Sequence, residues 1–175
     1  GTYTIKGDQA ERISNIKGTW NITKLNHSSD LLLQGNYDGL YVLERTNNSW
    51  QLRNKIKGFN NSSRYFEIFD NKIFVNHEYK GVFKIIADST FSEVKKVSIY
   101  SLFKGFDSGI TKYNDNLLYS YVNGIYKYDG KSEKFIKDSI LSSFYTRDEY
   151  VSGKLIVDGK DNKLWIFTNS HISFI

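Results

Sequence analysis

The sequence predicts an all-β fold made of β-propeller blades, about four four-stranded antiparallel repeats. Three observations carry that expectation. One strand–turn–strand unit recurs four times, at Asp30–Leu43 (DLLLQGNYDGLYVL), Asp70–Ile85, Asn114–Tyr128 and Asp158–Ile175. The apolar residue opening the second strand of each unit falls at Leu40, Val82, Ile125 and Ile172, steps of 42, 43 and 47 residues. A period of about 40–50 residues filled with strands is the mark of propeller blades. Within the units, apolar residues alternate nearly every second position, as in Leu117-Leu118-Tyr119-Ser120-Tyr121-Val122, rather than every third or fourth as a helical repeat requires.

The elements follow in order. Thr2–Gly7 alternates and ends in Gly, as an outer strand without a blade of its own, and the polar Asp8–Asn15 reads as a connecting loop. Blade one covers 17–56, with strands Thr19–Leu25, Leu31–Gly35, Leu40–Arg45 and Trp50–Ile56. Its last two strands join at Asn47-Asn48, because Asn tolerates positive φ. Blade two covers 63–100, with strands Arg64–Phe69, Lys72–His77, Gly81–Ile86 and Phe91–Tyr100. Blade three covers 108–138, with strands Gly109–Tyr113, Leu117–Val122, Gly124–Tyr128 and Lys134–Lys137, and Asp129-Gly130 as a tight hairpin turn. Blade four covers 152–175 with three strands, Lys154–Val157, Leu164–Thr168 and His171–Ile175. Lys-Gly pairs at 17–18, 57–58 and 104–105 mark the corners between blades, where Gly permits the turn. Residues 1–175 therefore read as a single propeller domain. Either strand 2–7 completes the last blade and closes a ring of four, or the chain is a segment of a larger propeller with edges open to pairing. The second reading is preferred. The chain has no Met and starts with Gly, as expected of a processed or excised piece.

Composition narrows the function classes. The absence of Cys excludes disulfides and thiolate chemistry. Net charge is +5, but basic residues alternate with acids and form no block, so nucleic-acid binding is not expected. No apolar run reaches the length of a membrane span. His27, His77 and His171 stand in no metal-ligand pattern, and Asp158-Gly159-Lys160-Asp161-Asn162 lacks the alternation and closing Glu of a calcium loop. No nucleophile motif occurs. Asp38, Glu78, Asp148 and Glu149 fall in loops, yet nothing selects a pair for glycoside hydrolysis. The chain reads as non-catalytic and free of metals and cofactors. A carbohydrate-active enzyme is the remote alternative.

Propeller topology locates a binding face. Loops between second and third strands, and loops between blades, collect on one side. Here they carry Tyr37, Asp38, His77, Glu78, Tyr79, Tyr145, Arg147 and Tyr150. Exposed aromatic rings with flanking polar groups suit an oligosaccharide, a peptide or a partner surface. The competing reading has these tyrosines packing between blades.

Asp158-Gly159-Lys160-Asp161-Asn162-Lys163-Leu164-Trp165-Ile166-Phe167-Thr168 resembles the blade motif of two-component-regulator propellers, roughly D-x-D-G-N-L-W-I-G-T followed by G-L-Y. Gly35-Asn36-Tyr37-Asp38-Gly39-Leu40-Tyr41 supplies the second half, and Tyr79-Lys80-Gly81-Val82-Phe83 and Val122-Asn123-Gly124-Ile125-Tyr126 are degenerate forms. The last blade departs from the pattern: Phe167 replaces the Gly before Thr168, and Ser170-His171 stands where Gly is usual. The resemblance covers nearly the whole chain. It implies the periplasmic sensor region of a membrane-bound bacterial regulator. In that family a triple-tyrosine Ig-like domain, a membrane helix and a histidine kinase or LuxR-type output follow the propeller, and Ile175 would fit a boundary before the first of these. The Asn/Lys/Tyr-rich composition is similar to Bacteroidetes versions. The resemblance further implies an oligosaccharide ligand in some relatives and a homodimer. The alternative function is a protein–protein interaction scaffold without a small ligand.

Overall fold

Two-residue turns made of Asn and Asp set the strands. Asn47-Asn48, Asp70-Asn71 and Asn114-Asp115 all have positive φ at both residues, between 45° and 63°. Such turns twist in the same sense as the strands they join. The computed structural model describes residues 1–25, 28–101, 105, 107–144, 150–168 and 172–175, with backbone alone at 150–154 and 168.

The chain is all-β, of the β-propeller class, with four antiparallel blade sheets. The first sheet runs β3 (Asn21–Lys24), β4 (Leu31–Asn36), β5 (Gly39–Thr46), β6 (Ser49–Lys55). The second runs β7 (Tyr65–Phe69), β8 (Lys72–His77), β9 (Gly81–Ala87), β10 (Val94–Tyr100). The third runs β11 (Gly109–Tyr113), β12 (Asn116–Tyr121), β13 (Gly124–Asp129), β14 (Lys134–Lys137). The last has three strands, β15 (Tyr150–Asp158), β16 (Lys163–Thr168) and β17 (Ile172–Phe174). One short helix, α1 (Ser139–Ser142), is capped by the Asp138 carboxylate, which accepts from Leu141 N at 2.9 Å.

Thr2–Gly7 holds β1 (Thr2–Lys6), which pairs with β2 (Gln9–Ser14). Two local expectations are corrected. The supposed loop Asp8–Asn15 is therefore mostly strand: its polar residues form an exposed hairpin arm, which periodicity alone does not separate from a loop. Asp129-Gly130 does not make a two-residue turn. β13 ends at Asp129 and β14 starts at Lys134, and the Asp129 carboxylate accepts from Lys131 N and Ser132 N at 3.2 and 3.0 Å. Helix α1 lies in a stretch the sequence reading left unassigned.

Contacts divide the chain into two compact units, Gly1–Ile73 with Lys84–Ser98, and Phe74–Phe83 with Ile99–Ile175. In the first unit, Leu33, Leu40, Val42 and Ile56 are fully buried. Gly35 is required there by close approach, because a Cβ would stand 2.1 Å from the Ser63 carbonyl oxygen. A buried polar chain fixes the N-terminal hairpin. Thr2 Oγ1 donates to Gln34 Oε1 at 2.7 Å, Gln34 Nε2 donates to Asn36 Oδ1 at 2.8 Å, and Asn36 Nδ2 donates to the Lys17 carbonyl at 3.1 Å. In the second unit, Leu118 and Ile125 of one sheet pack on Leu155, Leu164 and Ile166 of the next. Asn76, the counterpart of Gly35, donates from Nδ2 to both Ser108 O and Ser108 Oγ at 3.0 Å.

Candidate functional site

The site starts from a turn. In the first unit Asn36 pairs with Gly39, so Tyr37 and Asp38 form the two-residue connection between β4 and β5. The Asp38 carboxylate accepts from Tyr41 Oη at 2.8 Å and from Lys55 Nζ at 3.1 Å. Burial raises Asp38, but the hydrogen bonds of Tyr41 and Lys55 and the Lys55 charge outweigh it, so the carboxyl is held below its ordinary range. Tyr41 is pushed up to about 12, first by burial and then by the hydrogen bond to Asp38 and its charge. Asp38 is thus a neutralised brace for the turn. Tyr37 is left 59% exposed.

Around Tyr37 the structure gathers residues that the sequence reading did not single out. Trp20, 44% exposed, meets Tyr37 edge to face with ring centroids 5.5 Å apart. The Arg64 guanidinium lies over the Trp20 ring at 4.5 Å and over the Tyr65 ring at 4.9 Å. Gly18, with φ +76°, lies beneath Tyr37, and a Cβ there would stand 2.0 Å from the ring. Two exposed rings and a stacked cation form one surface, of a composition that contributes strongly to recognition. Trp20 and Arg64 were read as strand residues, but β3 starts at Asn21 and β7 at Tyr65. Both therefore belong to interblade loops, the loop class that topology assigned to the binding face.

The second unit carries His77, the last residue of β8, with Glu78 and Tyr79 in the connection to β9. Tyr79 N donates to His77 Nδ1 at 3.2 Å. The His77 ring lies 6.2 Å from that of Tyr79 and 6.3 Å from that of Phe83. Burial, followed by the Lys80 charge, lowers the His77 pKa. With Nδ1 accepting, the ring is neutral at pH 7 and presents Nε2 as its donor. Tyr79 is 60% exposed. Tyr145 and Arg147 lie outside the described residues, as do His27, Asp148, Glu149 and His171. Tyr150 opens β15, where the backbone alone is described. Among the described residues, no group of three or more His, Asp or Glu is placed to hold a metal ion, and no helix is long and apolar enough to cross a membrane.

No family model matches the chain, and no curated protein matches it. Solved structures do. One is the extracellular domain of BT4673 of B. thetaiotaomicron, assigned to a one-component system. It superposes with a TM-score of 0.57 at 15% identity, over 94% of this chain and 23% of that one. At that identity the likeness is one of fold, and the present chain spans about a quarter of that protein's length.

Proposed function

We propose that this chain is a non-catalytic, extracytoplasmic sensor propeller of a membrane-bound bacterial regulator, of the two-component-regulator propeller type, and that it lies in the periplasm. The observation that carries the reading is the Trp20–Tyr37–Arg64 surface. It consists of exposed aromatic faces on short, braced turns, with a stacked cation. The fold it shares with an extracellular regulator domain supports the location. The ligand is an oligosaccharide or peptide, and the response is a shift between conformations of the assembled receptor, a homodimer in this reading. His77, Glu78 and Tyr79 form a second contact group.

The test is thermal unfolding across a panel of oligosaccharides and peptides, repeated with Trp20→Ala and Tyr37→Ala. A ligand of this site raises the melting temperature of the parent protein and leaves both variants unmoved. A panel that shifts nothing sinks the ligand reading and leaves an interaction scaffold. A specific observation favours that second reading: β15–β17 present an apolar face in which Ile156, Ile172 and Phe174 are all about half or more exposed. Turnover of any polysaccharide would overturn both.

A further inference from the structure

A cavity of about 320 Å³ lies in the first unit, away from the Trp20 surface, at the end of the sheet where β7 turns into β8 and β9 into β10. Ile68, Ile73, Ala87 and Phe91 supply its apolar wall, and Asn71, Asp88 and Ser89 its polar edge. Its volume is at the small end of the range for ligand sites, which are mostly apolar with a few fixed polar groups.

The polar edge is built rather than incidental. Asp88 Oδ1 accepts from Ser92 N at 2.6 Å and Glu93 N at 2.9 Å, while Thr90 donates its hydroxyl to Oδ2. The loop is tied to β6 by Arg53, which donates to the Thr90 carbonyl at 3.1 Å, and by Asn54, which donates to the Phe91 carbonyl at 3.0 Å. Phe91 holds φ at 55°, and Asn71 at 54°. Such backbone is costly for a bulky side chain and persists only where its surroundings impose it.

Charge decides what would fit. The lysines nearest in sequence are already matched: Lys72 pairs with Asp70, and Lys95 with Glu93. Asp88 has no ion pair among the described residues, and all its hydrogen bonds come from neutral donors. The loop's donors, the amides of Thr90, Ser92 and Glu93 and the Thr90 hydroxyl, fix the carboxylate but carry no charge, so its negative charge stays. Lys95 feels the charge of Asp88 but is paired with Glu93, which leaves two carboxylates to one ammonium. An ionised carboxylate fixed at the edge of an apolar cavity, with no ion pair of its own, complements a cation carried on an apolar stem.

We propose that this cavity is a second binding site, independent of the loop surface, which takes an organic cation with a short apolar body. Both a lysine or arginine side chain of a peptide and a free amine have that chemistry. The test is an amide-resolved NMR titration of the whole chain with Nα-acetyl-lysine methylamide, Nα-acetyl-arginine methylamide and benzylammonium. Benzyl alcohol and Nα-acetyl-norleucine methylamide serve as neutral counterparts. The expected result is saturable shifts confined to residues 68–73 and 87–93, with a dissociation constant in the range of about 1 mM. Asp88→Asn should weaken binding at least about tenfold. Ala87→Leu, which fills the cavity and leaves the Asp88 loop intact, should abolish it. Binding by the peptide derivatives alone identifies a peptide side chain as the ligand, and binding by benzylammonium alone a free amine. Equal binding of the neutral compounds, unchanged binding in Ala87→Leu, or no saturable shift would overturn the proposal.

Discussion

At the scale of single residues, Gly18 and Asp88 make contrasting predictions. Gly18→Ala should both strain a left-handed backbone and drive Tyr37 out of place, costing about 1–3 kcal/mol. Gly7→Ala is the control. Gly7 also has positive φ, 58°, but its Cβ would meet nothing within 4 Å, so only the backbone penalty of about 1 kcal/mol remains. Paired denaturant melts measure the difference, and equal losses would remove Tyr37 from the argument. Asp88 speaks to acid stability. The Glu93 amide, the Thr90 hydroxyl and the Ser92 amide together lower it from 3.8 to about 2. A folded value below the unfolded one means the unfolded chain binds the proton more readily. The contribution is therefore complete above about pH 4 and disappears as pH falls toward 2. Stability followed from pH 5 to 2 should decline less steeply in Asp88→Asn than in the parent. None of these residues announces itself in the sequence. Gly18 was read correctly as a corner, but what lies against it depends on a turn 19 positions away.

At the scale of elements, a repeated seam holds neighbouring sheets. Gly35 and Asn76 occupy equivalent positions near the end of the second strand, each against a serine that opens the next blade, Ser63 or Ser108. Gly35 solves the approach by having no side chain, Asn76 by donating to Ser108. Asn76→Ala should therefore cost about 1–3 kcal/mol, since it leaves the buried Ser108 groups short of donors. Thermal melting of the variant checks this, and a loss below about 0.5 kcal/mol would mean water takes over the role. Elements of this kind were largely legible. Alternation and Asn/Asp turns placed most strands of the four sheets within a few residues, because both signals are local. Strand β1 was legible from its alternation, but strand β2 and helix α1 were not. An exposed polar strand such as β2 carries no alternation, and a four-residue helix is too short to show a period.

At the scale of the whole molecule, the repeat spacing was enough to give the fold class, because Leu40, Val82 and Ile125 are fully buried at the same place in their sheets; Ile172, the fourth of the series, is 61% exposed. The candidate surface was only half legible. Topology identified the loops and so found Tyr37 and Asp38. It could not find Trp20 and Arg64, whose place depends on strand ends that differ by one or two residues from the pattern. The alternative role of the loop tyrosines, packing between blades, does not describe Tyr37 and Tyr79, each more than half exposed.

The last sheet carries a consequence for how the protein behaves in a tube. Register puts Ile156 beside Trp165 and Trp165 beside Phe174, with Phe167 and Ile172 paired next to them. One side of the sheet is thus largely apolar, bounded by the Asp158–Lys163 pair, with Lys163 Nζ 4.7 Å over the Phe174 ring. Transfer of such a surface from water is driven by entropy at room temperature and strengthened by sulfate. The protein should bind a phenyl matrix in ammonium sulfate, hold more tightly on modest warming, and release earlier when Phe174 is replaced by Lys. Its working solubility is then set by salt and temperature more than by its net charge of +5.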